Sequence, residues 1–104
     1  MDLDKTFQEC VEWVNQTKLE ITDEEKLLCY GLFKQSTEGN NTKPEPWSFN
    51  IFEAAKWKAW NKNKDMNKDT AKENYINLID LIKKKIYLNY IYIYMNQKEQ
   101  QGKI

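Results

Sequence analysis

Tyr30 and Lys34 stand four residues apart in the stretch YGLFKQSTEG, Lys56 stands in AAKWKAWN, and Tyr75 in NYINLIDLIKKK. Residues four apart on a helix share a face, so Tyr30 and Lys34 lie one above the other with Phe33 beside them. Lys56 takes a related position between Ala55 and Trp57, and Tyr75 sits on the inward side of its own apolar stripe. If the helices meet at these residues, two ammonium groups, two phenols and an aromatic ring surround one cavity. That set suits a phosphorylated ligand with a flat base: lysine pairs with phosphate, tyrosine hydroxyls donate hydrogen bonds, and Phe33 covers the base. Taken singly, Lys34 and Lys56 read as solvated lysines whose stems cover apolar neighbours, and Tyr30, Phe33 and Tyr75 read as core. Spacing alone favours this plainer reading.

Other chemistry is missing from the chain. There is no histidine, which removes the usual general base near neutral pH and the commonest metal ligand. Cys10 and Cys29 lack CxxC spacing and sit among apolar residues, so both are expected to be reduced and buried. The carboxylates fall where they partner lysines along helix faces, and the glycines are isolated, so no paired-carboxylate site, metal site or nucleotide fingerprint is predicted. A binding protein is expected, without enzymatic activity, metal or cofactor. Sixteen basic residues, all lysine, balance sixteen acidic ones, which argues against a nucleic-acid partner held by phosphate neutralisation. The opening MDLDKTFQEC has no apolar run, so neither a secretory signal nor a membrane span is predicted and a cytoplasmic location is expected.

The elements that must position these residues are helical. With 104 residues, 40% hydrophobic and 31% charged, the chain fits one soluble domain. Leu3, Phe7, Cys10, Val11 and Val14 form the apolar face of a first helix ending near Asn15-Gln16-Thr17. A second begins at ITDEE, with Thr22 as cap and Glu25 in the capping-box position; Leu27, Leu28, Gly31, Leu32 and Gln35 follow, and Gly39 stops it. Residues 39–50, with two prolines and several turn formers, read as a long loop. Asn50 then caps a third helix with Glu53 in the box position, Phe52, Ala55 and Ala59 on one face and Trp57 and Trp60 beside it. The tryptophans are expected to be packing groups. Asn67 caps a fourth helix with the stripe Ala71, Tyr75, Leu78, Ile79, Ile82 and Ile86, and Lys83, Lys84 and Lys85 suit the negative pole at its end. The Tyr/Ile run that follows, YLNYIYIYM, is read as a helical extension that fades into disorder, with a strand-like tail as the alternative.

TDEEKLLCYGLFKQSTEG, AAKWKAWN and NYINLIDLIKKK, with the spacing from Tyr30 to Lys34 to Lys56 to Tyr75, resemble the acyl-CoA-binding protein family over about residues 3–86. The resemblance implies an all-α, up-down-down-up four-helix bundle with a long loop between helices two and three. It also implies an acyl-CoA-binding domain over residues 1–86 and a C-terminal extension over 87–104. The ligand would be a medium- to long-chain fatty acyl-CoA, bound by a monomer that carries it to acyl-CoA-using enzymes with at most transient membrane contact. Tyr30, Lys34 and Lys56 would hold the ribose 3′-phosphate, Phe33 would flank the adenine, Tyr75 would lie in the site, and Gly31 and Leu32 fall in the same contact stretch. Asn15 and Phe52 stand where the family often has lysine, Leu32 where it has a polar residue, and Asn40 where it has aspartate. A different class of function, a helical module that accepts a partner peptide in its groove, is the alternative.

Overall fold

The computed structural model describes residues 2–17 and 20–101. They form four helices, α1 (Leu3–Thr17), α2 (Asp23–Glu38), α3 (Ile51–Asn61) and α4 (Lys68–Gln101), with no strand among the described residues. The architecture is an all-α four-helix bundle in which α2 packs on both α3 and α4, and α1 packs on α4.

The local signals explain the helix ends. The Thr22 hydroxyl accepts the Glu25 N–H at 3.1 Å, and the Glu25 carboxylate accepts the Thr22 N–H at 2.9 Å, which closes the capping box of α2. Gly39, at φ 81°, ends α2 in a backbone region that glycine enters without steric cost. The Asn67 side chain accepts the Thr70 N–H at 2.7 Å and starts α4. Asn50 differs from expectation: it occupies the N-cap of α3, but its side chain makes no capping hydrogen bond.

The core joins α1, α2 and α4. Phe7, Cys10, Ile21, Cys29, Tyr75, Ile79 and Ile82 form its buried cluster, and Ala71 is buried on the same stripe of α4. Residues 71, 75, 79 and 82 follow the helical repeat, which is why one face of α4 can supply half of these buried residues. Each large side chain buried in this way contributes about 1.5–3 kcal/mol. Both cysteines are free and buried, as expected, and burial pushes the Cys29 thiol up to about 11.

Three expectations about faces are corrected. Leu28 and Phe52 are exposed rather than packed inward. On α2 the expected Gly31 and Gln35 are buried and Leu32 packs against the core cluster, with Cys29 and Ser36 buried beside them, so Leu28 is the exposed member of the expected stripe. The helix expected to end near Ile86 continues to Gln101, so Lys83, Lys84 and Lys85 lie mid-helix, and Lys85 instead bonds Glu25 of α2 at 2.6 Å. The helical reading of the Tyr/Ile run therefore holds through residue 101; residues 102–104, where fading is expected, lie outside the described residues.

The long loop is tied to the bundle by specific donors. The Trp60 indole donates to the Gly39 carbonyl at 2.8 Å, and the Trp57 indole to the Lys43 carbonyl at 2.8 Å. The buried Gln35 amide donates to Asn40 Oδ1 at 2.9 Å and to the Met66 carbonyl at 2.8 Å. Asn40 Oδ1 also accepts the Asp65 N–H at 2.8 Å, fixing Asp65 at φ 72°, a left-handed conformation that non-glycine residues seldom adopt. One polar network thus holds the start of the loop against the α3–α4 turn.

Candidate ligand-binding site

Tyr30 is the residue around which the candidate site is arranged. It is half-buried on α2 and borders three depressions at once. The first is a cavity of 240 Å³ between α1, α2 and α4, lined by Val11, Val14, Asn15, Lys26, Cys29, Tyr30, Phe33 and Tyr75. The second is a groove of 520 Å³ between α2 and α3, whose walls include Leu27, Tyr30, Ile51, Phe52, Ala55 and Lys56. The third is a cleft of 90 Å³ where Tyr30 and Lys56 meet Lys43, Trp57 and Trp60 under the long loop.

The basic side chains gather at the cleft. Lys56 Nζ lies 5.2 Å from the centre of the Tyr30 ring, Lys34 Nζ lies 4.8 Å from the Trp60 ring and Lys43 Nζ 5.7 Å from the same ring. An ammonium over an aromatic face is attracted by the ring quadrupole, so the two rings hold three cations in one corner. Two carboxylates answer them. Glu53 is 3.8 Å from Lys56, and Glu38 hydrogen-bonds Lys34 directly; that hydrogen bond holds the Glu38 carboxyl below its ordinary value. With three lysines facing two glutamates, the corner retains a positive excess that suits an anion.

The inner α1–α2–α4 cavity is mainly apolar and aromatic, with Asn15 and Lys26 at its exposed edge. Phe7 stacks with Phe33 at 6.1 Å and meets Tyr75 edge-on at 5.1 Å, so Phe33 and Tyr75 are positioned by the α1 aromatic and cannot swing freely. Burial pushes the Tyr75 phenol far above its ordinary value, so it remains a neutral phenol even in alkaline solution. Cavity, groove and cleft together offer apolar walls, phenols and a cationic corner, all bordering Tyr30.

Of the residues expected at the site, Tyr30, Phe33 and Tyr75 line one cavity, while Tyr30 and Lys56 share the groove and the cleft. Lys34 reaches the same corner through Trp60. The single cavity expected from spacing is thus replaced by three separate depressions that share Tyr30 as a wall. Gly31 is buried at the α2–α3 crossing, where a Cβ would stand 2.2 Å from the Ala59 carbonyl oxygen; there it permits the close approach of the two helices. Leu32 packs against the core cluster. Asn15, exposed on α1, puts an uncharged group on the rim of the inner cavity, and Phe52 puts a ring in the groove wall.

Sequence reasoning missed Lys43, Trp57 and Trp60. A signal for them exists: two tryptophans three apart on one helix follow a loop of turn formers whose carbonyls need donors, and buried indole N–H groups find such partners. Which carbonyls they reach depends on how the loop crosses α3.

Comparison with known proteins gives the same direction. The family profile described as "Acyl CoA binding protein" matches residues 4–79. Acyl-CoA-binding protein homolog 1 of Caenorhabditis elegans is 36% identical over 75 residues, covering 72% of this chain and 87% of that protein. The crystal structure of Oryza sativa acyl-CoA-binding protein 2 superposes with a TM-score of 0.78 at 32% identity, over 84% of this chain and 97% of that one. Enoyl-CoA delta isomerase 2 of Rattus norvegicus is 40% identical over 73 residues, covering 70% of this chain, but the chain spans only 19% of that protein's length. With a family profile matched across most of the bundle and a relative matched across most of its own length, the chain belongs to the acyl-CoA-binding protein family.

Proposed function

We propose that the protein binds medium- to long-chain fatty acyl-CoA esters without transforming them, and so maintains and carries a pool of them in the cytoplasm. The observation that carries this reading is the position of Tyr30, which borders an apolar groove, an inner aromatic cavity and a cationic cleft at once. An acyl-CoA needs all three: apolar cover for the chain, aromatic faces for the base and positive charge for the phosphates. Family membership supports the ligand class.

In this reading Lys34 and Lys56 pair with the 3′-phosphate while Tyr30 donates a hydrogen bond to it. Phe33 and Tyr75 border the adenine, and the groove walls of Leu27, Ile51, Phe52 and Ala55 cover the acyl chain. Gly31 and Leu32 act indirectly, by setting the helix crossing and the packing behind the site. The chain has no histidine, and the proposed role needs no proton transfer. Binding keeps a detergent-like thioester in solution and shields it until an acyl-CoA-using enzyme takes it. In this reading the protein works as a monomer.

The acyl chain supplies the main affinity. Burial is worth about 0.8 kcal/mol per methylene, so about fourteen buried methylenes contribute up to roughly 11 kcal/mol before binding costs. Isothermal calorimetry with palmitoyl-CoA and acetyl-CoA tests this directly. The long-chain ester is expected to bind more than about a hundredfold tighter; equal affinities would remove the acyl groove from the reading. The head-group contribution is expected to weaken as salt is raised.

A further inference from the structure

Four large apolar side chains stand in solvent together where the long loop enters α3. Trp47 is 78% exposed, Phe49 81%, Ile51 72% and Phe52 82%. Trp47 and Phe49 stack at 6.4 Å, so these two rings form one exposed surface, with Ile51 and Phe52 exposed within the next three residues of the chain. Pro44 and Pro46 precede them and restrict the loop backbone before any partner arrives. A clustered apolar patch of this kind marks an interaction surface.

The charge around the patch points to the partner. Residues 40–64 carry five lysines against two glutamates, Glu45 and Glu53, hence a net +3 in a chain that is otherwise balanced by an equal deficit. Ile51, Ala55, Lys58 and Lys62 follow at i, i+4, i+7 and i+11, so exposed lysines continue the side of α3 that the apolar tip begins. Lys58 also shares a surface depression with Trp47. Aromatic and aliphatic groups at a helix end, with lysines along the same side, fit the boundary between acyl chains and anionic headgroups. Ile51 and Phe52 are at the same time walls of the α2–α3 groove, so the patch adjoins the groove mouth.

We propose that the tip formed by Trp47, Phe49, Ile51 and Phe52 docks on an anionic phospholipid surface, with Lys58 and Lys62 on the headgroups. Docking there sets the groove against the membrane, so that an acyl chain passes between bilayer and groove without crossing water. That use of the contact rests on the acyl-CoA reading, whereas the contact itself is tested without ligand.

The test is co-sedimentation of the full chain with vesicles of phosphatidylcholine containing a quarter phosphatidylserine, beside vesicles of phosphatidylcholine alone. The unmodified protein is expected to partition onto the anionic vesicles, less onto the neutral ones, and less as salt rises. Trp47→Ser combined with Phe49→Ser is expected to reduce partitioning at least about tenfold, and Lys58→Gln with Lys62→Gln to reduce it on anionic vesicles alone. Far-UV circular dichroism and palmitoyl-CoA calorimetry in vesicle-free buffer are expected to be unchanged in all these variants. Absence of partitioning by the unmodified protein overturns the proposal, as does partitioning that survives the Trp47/Phe49 change. Loss through Leu88→Ser with Ile93→Ser instead would move the contact to the end of α4 and equally overturn it. A concentration-dependent dimer abolished by the Trp47/Phe49 change would assign the patch to a second copy of the chain. Failed palmitoyl-CoA binding with intact vesicle binding would remove the acyl-CoA reading and leave the docking surface standing.

Discussion

Lys34 is held at two points before any ligand arrives: its ammonium lies over Trp60 and hydrogen-bonds Glu38. In the proposed reading, phosphate therefore competes with, or shares, a carboxylate on the same helix. Lys34→Ala is expected to weaken palmitoyl-CoA binding about tenfold, about 1.4 kcal/mol, and Tyr30→Phe by a smaller factor, each with unchanged circular dichroism and melting. Glu38→Gln is expected to strengthen binding by a few fold, because the ammonium is then free for phosphate. Calorimetry on the three variants checks this set. Unfolding by Lys34→Ala with undiminished affinity per folded molecule would give that lysine a structural role alone. The Lys34–Glu38 spacing is legible in the sequence because it is one helical turn; the Trp60 contact is not, because it depends on where α2 crosses α3.

At the level of the elements, two inter-helix contacts govern how the site is held. Gly31 faces the Ala59 carbonyl at the α2–α3 crossing, so Gly31→Ala is expected to destabilise the domain by about 2 kcal/mol or more through forced separation of the helices, measured by urea unfolding. A loss of affinity in step with the loss of stability would follow from a widened groove. Glu25 joins the capping box of α2 to Lys85 on α4. The Lys85 hydrogen bond, followed by the capping interactions, holds the Glu25 carboxyl below its ordinary value of 4.5. A lowered folded-state value means stabilisation that is present above pH 4.5 and lost as the pH falls through the lower value. Glu25→Gln keeps the capping geometry but removes the charge, so it is expected to cost on the order of 0.5–1 kcal/mol at pH 7. That difference is expected to shrink in acid, and urea melts at both pH values check it. The capping box is written in four adjacent residues, whereas the partner sixty residues away is set by helix packing.

Across the whole molecule, α4 is the longest element, and its 34 residues make a helix about 50 Å long. Beyond Ile86 its Tyr87, Leu88, Tyr90, Tyr92, Ile93, Tyr94 and Met95 are exposed, while Tyr90 bonds Glu20 at 2.6 Å. We place the boundary of the ligand-binding unit at Ile86. A chain ending there is expected to melt cooperatively and to bind palmitoyl-CoA within about twofold of the full chain, because residues 87–99 lie outside the core cluster. Calorimetry and thermal melting of that shortened chain check the boundary. By itself the sequence determined the four helices, the Thr22 and Asn67 caps, the Gly39 stop and the inward stripe of α4, because each depends on interactions within a few turns of chain. The YIYIY alternation was ambiguous because tyrosine and isoleucine favour strands; with no partner strand, a helix already nucleated upstream simply propagates through it. Only the tertiary structure decided that Tyr30 borders three depressions, that Trp60 collects Lys34 and Lys43, and that Phe52 turns outward. Those outcomes depend on where helices cross and how a loop lies over them, and distances between elements are set by packing of the whole bundle rather than by the spacing of residues along any one of them.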